Sequence, residues 1–190
     1  VTRLAVLSDT HGRVPETAAA LAVLNAHAPD LFLHCGDVGG GRYSPHGVLK
    51  ELARVADGRP VYLVPGNNDR DPAALKALAA ERGIDYGDPA LLEVDGVRLC
   101  VTHGTTWEHE EFAEHGLDGT FHDIILSGHT HRPTWERRRF GDRSAYLLNP
   151  GACWRATPRT VALLDLPPQG FPPQDPAKWK PRFLEVPWPA

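Results

Sequence analysis

Five short clusters in this 190-residue chain carry side chains able to bind metal or move protons. They are Asp9-Thr10-His11-Gly12, Gly36-Asp37, Gly66-Asn67-Asn68-Asp69, His103-Gly104 and Gly128-His129-Thr130-His131. Taken singly each reads as a solvated loop, and an isolated D-x-H or H-x-H pair is common by chance. Their shared context carries more weight, because each stands where an apolar run ends. In an α/β sheet, groups at the C-terminal ends of strands converge on one crevice, where ligands bind. Residues at i and i+2 of an extended chain point the same way. Asp9 and His11 are therefore expected to grip one ion, and His129 and His131 to reach into the same site. The neighbouring glycines (Gly12, Gly36, Gly66, Gly104, Gly128) are expected to let backbone approach the ions closely.

The donor set combines Asp and Asn oxygens with imidazoles and has no thiolate. Such a mix suits Mn²⁺, Fe²⁺, Zn²⁺, Co²⁺ or Ni²⁺ better than Mg²⁺ or Ca²⁺, which prefer all-oxygen shells. A carboxylate has two oxygens and can bridge two ions roughly 3.5–4 Å apart, the spacing used for in-line displacement at phosphorus.

The elements that must position these groups are legible in the apolar pattern. Val1 to Leu7, Leu31 to His34 and Val61 to Val64 read as buried strands. Helices are expected from Pro15 to about His27, from Gly47 to Ala56, and from Pro72 to about Arg82. This βαβαβα rhythm implies a parallel sheet with helices packed on it. From Ala90 the rhythm changes. Leu91–Val94 and Val97–Thr102 flank Asp95-Gly96, a two-residue hairpin turn. Ile124–Ser127, Trp135–Phe140, Ser144–Leu148 and Thr160–Leu166 follow as strands. One α/β domain with two sheets, over residues 1–166, is the reading that results. Residues 167–190 form a proline-rich extension. Its Arg182-Phe183-Leu184-Glu185-Val186 mixes polar and apolar residues, which favours a last edge strand beside Thr160–Leu166, with a disordered tail the alternative.

Hydrophobic residues make up 42% and charged residues 23% of the chain, the profile of a folded globular protein. No apolar run approaches the roughly 20 residues that span a bilayer, and the first residues read as a core strand rather than a signal segment. A cytoplasmic location is the default that follows. The formal charge of −4 argues against a surface that coats nucleic acid, though not against a nucleotide in a metal pocket. The three cysteines, Cys35, Cys100 and Cys153, contain no C-x-x-C pair. They read as buried reduced thiols.

The ordered set D-x-H, G-D, G-N-x-[DE], H-G, G-H-T-H resembles the calcineurin-like metallophosphoesterase family from Leu4 to about Leu166. The capless length, Asn149-Pro150-Gly151 and the G-N-N-D form are most similar to its small bacterial and archaeal phosphodiesterase branch. That resemblance implies a four-layer αββα sandwich of two mixed sheets flanked by helices. It implies two divalent ions, Mn²⁺ favoured, with Asp9, His11, Asp37 and His131 holding the first. Asp37 would bridge to the second, completed by Asn67, His103 and His129. A hydroxide between the ions would attack phosphorus in line with the leaving oxygen. The catalytic set would then be Asp37, Asn67, Asn68 and His103. Gly151 resembles a turn that supports the metal loops.

Two departures bear on activity. Many relatives read G-N-H-[DE], and that histidine is thought to protonate the leaving group; here the position is Asn68, which has no titratable proton. The protein Ser/Thr phosphatases extend G-D to G-D-x-V-D-R-G, whereas this chain reads Gly36-Asp37-Val38-Gly39-Gly40-Gly41, against a protein phosphatase. General acid help is worth roughly 10²–10⁴-fold, so esters of low-pKa leaving groups are expected to be favoured, with a metal-bound water as the alternative acid. The expected substrate is a small phosphorylated molecule, a nucleotide among the candidates. Hydrolysis of a phosphomonoester or a dinucleoside polyphosphate is the rival activity. A non-enzymatic scaffold of the same fold, like the retromer subunit that resembles these enzymes, would have lost metal ligands, and all seven positions are present.

Weaker signals remain. Gly39-Gly40-Gly41-Arg42 matches no phosphate-loop fingerprint and reads as a flexible loop. Arg42 and Arg70 are candidate phosphate clamps, with surface solvation the plainer reading. Trp107 and Trp154 read as core or rim packing, with stacking on a base the alternative. His34 and His122 read as structural, and Arg137-Arg138-Arg139 as an exposed strand edge.

Overall fold

The computed structural model describes residues 1–105, 122–167 and 179–189. Two mixed β-sheets face each other across an apolar core, as expected. The first sheet has the order β11-β10-β1-β2-β3-β4. Its strands are β1 (Arg3–Leu7), β2 (Leu31–His34), β3 (Val61–Leu63), β4 (Asp85–Tyr86), β10 (Thr160–Asp165) and β11 (Arg182–Glu185). The second, in the order β5-β6-β7-β9-β8, contains β5 (Ala90–Val94), β6 (Val97–Val101), β7 (Ile124–Leu126), β8 (Thr134–Phe140) and β9 (Arg143–Asn149). Strands β1, β2, β3 and β4 run parallel, as do β6, β7 and β9. The described helices are α1 (Val14–Asn25), α2 (His46–Ala56) and α3 (Pro72–Ala80).

Strand alternation separates two cores. On β1, Ala5 and Leu7 face the helices, together with Leu21, Leu24, Leu49 and Leu52. Leu4 and Val6 face the second sheet and meet Leu99, Val101, Ile124, Leu126 and Leu148. Both faces of β1, β2 and β10 are buried, which is why these strands read as unbroken apolar runs rather than alternating ones. The described helices all lie against the first sheet. The outer face of the second carries a smaller apolar cluster of Cys100, Ile125, Phe140, Ala145 and Leu147.

The expected elements form with small shifts at their ends. Helix α1 begins one residue before Pro15 and stops at Asn25, where Ala28 at φ 48° turns the chain. Helix α3 starts on Pro72 with the Asp71 side chain accepting from Ala74 N–H at 2.9 Å, the capping chemistry a helix start needs. In the β5–β6 hairpin Asp95 and Gly96 take φ of 51° and 73°, the doubly left-handed turn that suits a twisted ribbon. Arg182–Glu185 pairs antiparallel with β10 at the sheet edge. Strand β4 left no sequence signal, because two polar-rich residues show no period. Strand β8 is the second sheet's edge, with Arg137 and Arg139 exposed and Arg138 facing Glu136.

His34 ends β2 in full burial, with Nε2 3.0 Å from Thr10 Oγ1. Burial pushes its pKa from 6.5 down to about 4. A histidine depressed in the folded state contributes stability that is complete above its unfolded pKa and is lost as pH falls through the folded one. A shift of this size corresponds to about 3 kcal/mol. Denaturant unfolding of the metal-free protein between pH 7 and pH 4 should show the loss. His34→Gln, which cannot take up the proton, should flatten that pH dependence relative to the native chain; parallel curves would rule His34 out as its source.

Candidate metal centre

Every site cluster follows the C-terminal end of a parallel strand: Asp9 after β1, Asp37 after β2, Asn67 after β3, His103 after β6, and His129 and His131 after β7. The two sheets thus deliver their loops to one rim. All seven expected ligands, and Asn68, come together there.

Two groups of donors are resolved. In the first, Asp9 Oδ1 is 3.1 Å from His131 Nε2 and 3.9 Å from His11 Nε2, and His11 Nε2 is 3.8 Å from Asp37 Oδ2. In the second, His103 Nε2 is 3.4 Å from the same Asp37 Oδ2 and 3.1 Å from Asn67 Oδ1. The His129 ring lies 5.4 Å from that of His103, centre to centre. Asp37 is shared. Asp9 Oδ1 and His11 Nε2 are buried and make no properly directed hydrogen bond, a costly state for polar atoms. Donors about 2.0–2.2 Å from a common ion stand roughly 3–4 Å from one another, so a bound ion would satisfy what the protein leaves open. Asp9, His11 and His131, and Asp9, Asp37 and His103, each converge tightly enough to hold one.

The convergence has a different origin from the extended chain the i, i+2 spacing suggested. Asp9, His11, Asp37, His129 and His131 adopt φ of 56°, 48°, 54°, 67° and 59°. The left-handed region is costly for residues other than glycine and persists only where surroundings impose it. Asp9 and His11 meet because the chain curls, as do His129 and His131. The glycines also serve differently. A Cβ on Gly66 would collide with the Asp37 carboxylate, and one on Gly128 with Ser8 Oγ and Asp9 Oδ2. They admit ligand side chains against the backbone rather than backbone against ions.

Protonation follows from these contacts. Burial alone would raise Asp37, but the His103 hydrogen bond and charge and the Asn68 bonds hold it well below the usual carboxylate range. Burial works against a charged His103, yet Asp37 and the Cys35 carbonyl outweigh it and its pKa rises. His103 Nδ1 must donate to that carbonyl, at 2.8 Å, which turns Nε2 toward the donor cluster. His131 is raised by the adjacent Asp9 carboxylate, whereas burial lowers His11.

A supporting layer surrounds these groups, of which the sequence offered only the turn at Gly151. Asp69 accepts from Val38 N at 3.1 Å, Gly39 N at 2.7 Å and Gly66 N at 2.9 Å, tying the β2 and β3 loops together. Burial pushes its carboxyl up and these bonds pull it back. Asn149 Nδ2 donates to Gly128 O at 2.6 Å and to Thr130 Oγ1 at 3.1 Å, and its Oδ1 accepts from Gly151 N at 2.9 Å. The Asn149-Pro150-Gly151 turn thus braces the His129–His131 loop. Asn68 donates to Asp37 Oδ1 from its backbone at 2.8 Å and to Oδ2 from its side chain at 2.7 Å. Beyond the turn expected at Gly151, the hint of these roles was an Asp or Asn at a loop start, where such residues often bind backbone.

The centre opens on a cavity of about 510 Å³ whose far wall includes Arg13, Arg42, Tyr43, Trp154 and Arg155. Trp154 therefore stands at the rim, and the Gly39–Gly41 loop flanks it. Arg70 lines a neighbouring groove beside α3. His122 is buried. Trp107 lies outside the described residues.

The model of the calcineurin-like phosphoesterase superfamily domain matches residues 3–168. A phosphodiesterase of the archaeon Methanocaldococcus jannaschii is 26% identical over 155 residues, 80% of this chain and 84% of its own length. Among solved structures, an archaeal phosphodiesterase superposes with a TM-score of 0.72 at 23% identity, covering 97% of this chain and all of its own. The Escherichia coli phosphoesterase Yfce gives 0.64 at 24% identity over 86% of this chain and 88% of its own. A metallophosphoesterase of Sphaerobacter thermophilus gives 0.61 at 16%, covering 98% and 88%. At these identities the structural likeness shows the fold.

The protonation pattern sets the pH dependence of metal binding. His103 and His131 hold protons to higher pH than a free imidazole, and both must lose them to coordinate. Metal affinity should rise steeply through neutrality and flatten only above the ordinary imidazole range. Calorimetric titration with Mn²⁺ from pH 5.5 to 8.5 measures this, and an affinity independent of pH would exclude histidine ligation.

Proposed function

Because this chain belongs to the calcineurin-like phosphoesterase superfamily of metal-dependent phosphoric ester hydrolases, we propose that it is a phosphodiesterase with a dinuclear centre. The observation that carries the reading is the pair of donor groups sharing Asp37 Oδ2. Asp9, His11, Asp37 and His131 hold one ion; Asp37, Asn67, His103 and His129 hold the other. The mixed imidazole, carboxylate and amide set accepts Mn²⁺, Fe²⁺, Zn²⁺, Co²⁺ or Ni²⁺, and Mn²⁺ is the ion the family resemblance favours. When bound, the ions lower the pKa of water to give hydroxide near neutral pH and offset charge on the nonbridging phosphate oxygens.

The remaining work falls to the protein. The left-handed loops and the Asp69 and Asn149 braces hold the donors in place before substrate arrives, which is the source of electrostatic preorganisation. Asn68 steadies Asp37 and carries no titratable proton, so it cannot act as general acid to the departing oxygen. The open cavity admits a small phosphorylated substrate, a nucleotide included. Hydrolysis of a dinucleoside polyphosphate is the second reading, favoured by the arginines opposite the metal donors; phosphomonoester hydrolysis ranks below it. A non-catalytic scaffold is disfavoured by seven retained and convergent donors. Residues 1–166 are the catalytic unit in this reading, with the strand-bearing extension completing the first sheet. The three buried free thiols suit a reducing cytoplasm.

Two outcomes test the reading. Asp37→Ala should lower both bound metal and turnover of bis(p-nitrophenyl) phosphate by more than roughly 100-fold, beyond the usual loss for an outer-sphere partner. Thr130→Ala should cost much less, and an active, metal-loaded Asp37→Ala would defeat the mechanism. Across substituted aryl phosphodiesters under saturating Mn²⁺, the rate should fall steeply as leaving-group pKa rises. Asn68→His should flatten that slope and help the poorest leaving groups most; parallel slopes in the two proteins would refute the role given to Asn68.

A further inference from the structure

Arg13 stands one residue beyond the Asp9–Gly12 loop, at the N-cap of α1. Its backbone is pinned on both sides: its N–H donates to Thr10 O at 2.9 Å, and its carbonyl accepts from Thr17 N at 2.9 Å and Thr17 Oγ1 at 2.6 Å. The guanidinium is pinned as well. Its carbon lies 4.3 Å from the centre of the Tyr43 ring and 4.0 Å from that of Trp154. Two aromatic plates from separate loops thus grip one cation, and such stacking immobilises a planar guanidinium while leaving its N–H groups free to bind. Nε is buried without a hydrogen-bond partner. Among the described residues no carboxylate pairs with Arg13, Arg42 or Arg155, although all three line the cavity over the metal donors. Arg42 approaches the other side of this wall, 5.4 Å from the Tyr43 ring centre.

Charge balance shows what this wall is for. Two divalent ions against the carboxylates of Asp9 and Asp37 leave as much positive charge as a phosphodiester and a hydroxide cancel. The arginines are surplus to that balance, and Asp37 is the only carboxylate lining the cavity among the described residues. Guanidinium groups match phosphate oxygens bidentately. Resting on the phosphodiesterase reading, we propose that Arg13, held between Tyr43 and Trp154, is a specificity-determining residue that binds a second phosphate of the substrate. The preferred substrates then carry a phosphate besides the scissile one, as in a nucleotide ester with a further phosphate on the sugar or a nucleotide anhydride.

The test compares two esters with the same leaving group, the p-nitrophenyl ester of thymidine 5′-phosphate and the same ester bearing a 3′-phosphate. The native enzyme with Mn²⁺ should favour the second by roughly 10- to 100-fold in kcat/KM, the range of a charged hydrogen-bond pair. Arg13→Gln should collapse that ratio toward one, mainly through KM, and Arg13→Lys should restore it in part. Melting curves of each variant exclude unfolding as the cause. Binding supplies a readout independent of turnover: adenosine 3′,5′-bisphosphate should bind the Mn²⁺-loaded protein more tightly than adenosine 5′-monophosphate, and Arg13→Gln should erase the difference. Equal affinity of the native protein for the two nucleotides, or a preference that survives Arg13→Gln, overturns the proposal. So does an equal loss on both esters, which would place Arg13 on the scissile phosphate instead. Arg13-dependent bisphosphate binding without hydrolysis of any ester would sink the phosphodiesterase reading while leaving the second-phosphate site standing.

Discussion

The Asp37 carboxylate lies between two sets of donors in a buried position, and the surrounding structure is arranged to keep it ionised and in place there. A carboxylate out of water is costly unless its oxygens are satisfied. Here His103 and both donors of Asn68 meet them. Gly66 must be glycine for the carboxylate to fit against the β3 loop. Asp69, from the same loop, reaches back to bind the backbone just beyond Asp37. The β2 and β3 loops therefore position Asp37 jointly, and neither could do so alone.

The backbone around the centre is strained where it carries donors. Left-handed conformations at five of the seven candidate ligands have to be offset by burial elsewhere. The two apolar layers, one under the helices and one between the sheets, provide it. The parallel strands of both sheets end at the same rim, so the cores that stabilise the fold also fix the loops that carry the chemistry. Strain at a site held by a rigid scaffold is a recurrent feature of functional centres.

Opposite the donors the protein places cations and aromatic rings from three separate loops. Tyr43 follows the glycine run after β2, Trp154 follows the Asn149-Pro150-Gly151 turn, and Arg13 follows the first metal loop. The cavity is polarised, with negative and neutral donors on one wall and guanidinium groups on the other. Such a field concentrates anionic substrates and orients them as they enter.

The amino-acid order by itself determined the elements and the candidate donors. Continuous apolar runs at Leu4–Leu7, Leu31–Leu33 and Val161–Leu164 mark strands buried on both faces. Asp95-Gly96 marks a hairpin, and the Asp, His and Asn clusters mark strand ends, because these signals are local and set by sterics and burial. The terminal edge strand Arg182–Glu185 was only half legible, because Arg-Phe-Leu-Glu does not alternate strictly and an unordered tail was the rival reading. Strand β4 was not, because two residues make no period. Nor were the left-handed curls that bring Asp9 to His11 and His129 to His131, the reach of Asp69 to Val38 and Gly39, the brace from Asn149 to Gly128, and the stacking of Arg13 between Tyr43 and Trp154. Each depends on loops that are distant in the chain and meet only when the two sheets pack. The sequence could name the candidate donors; which oxygen faces which imidazole, and which cations line the cavity, were decided by tertiary packing.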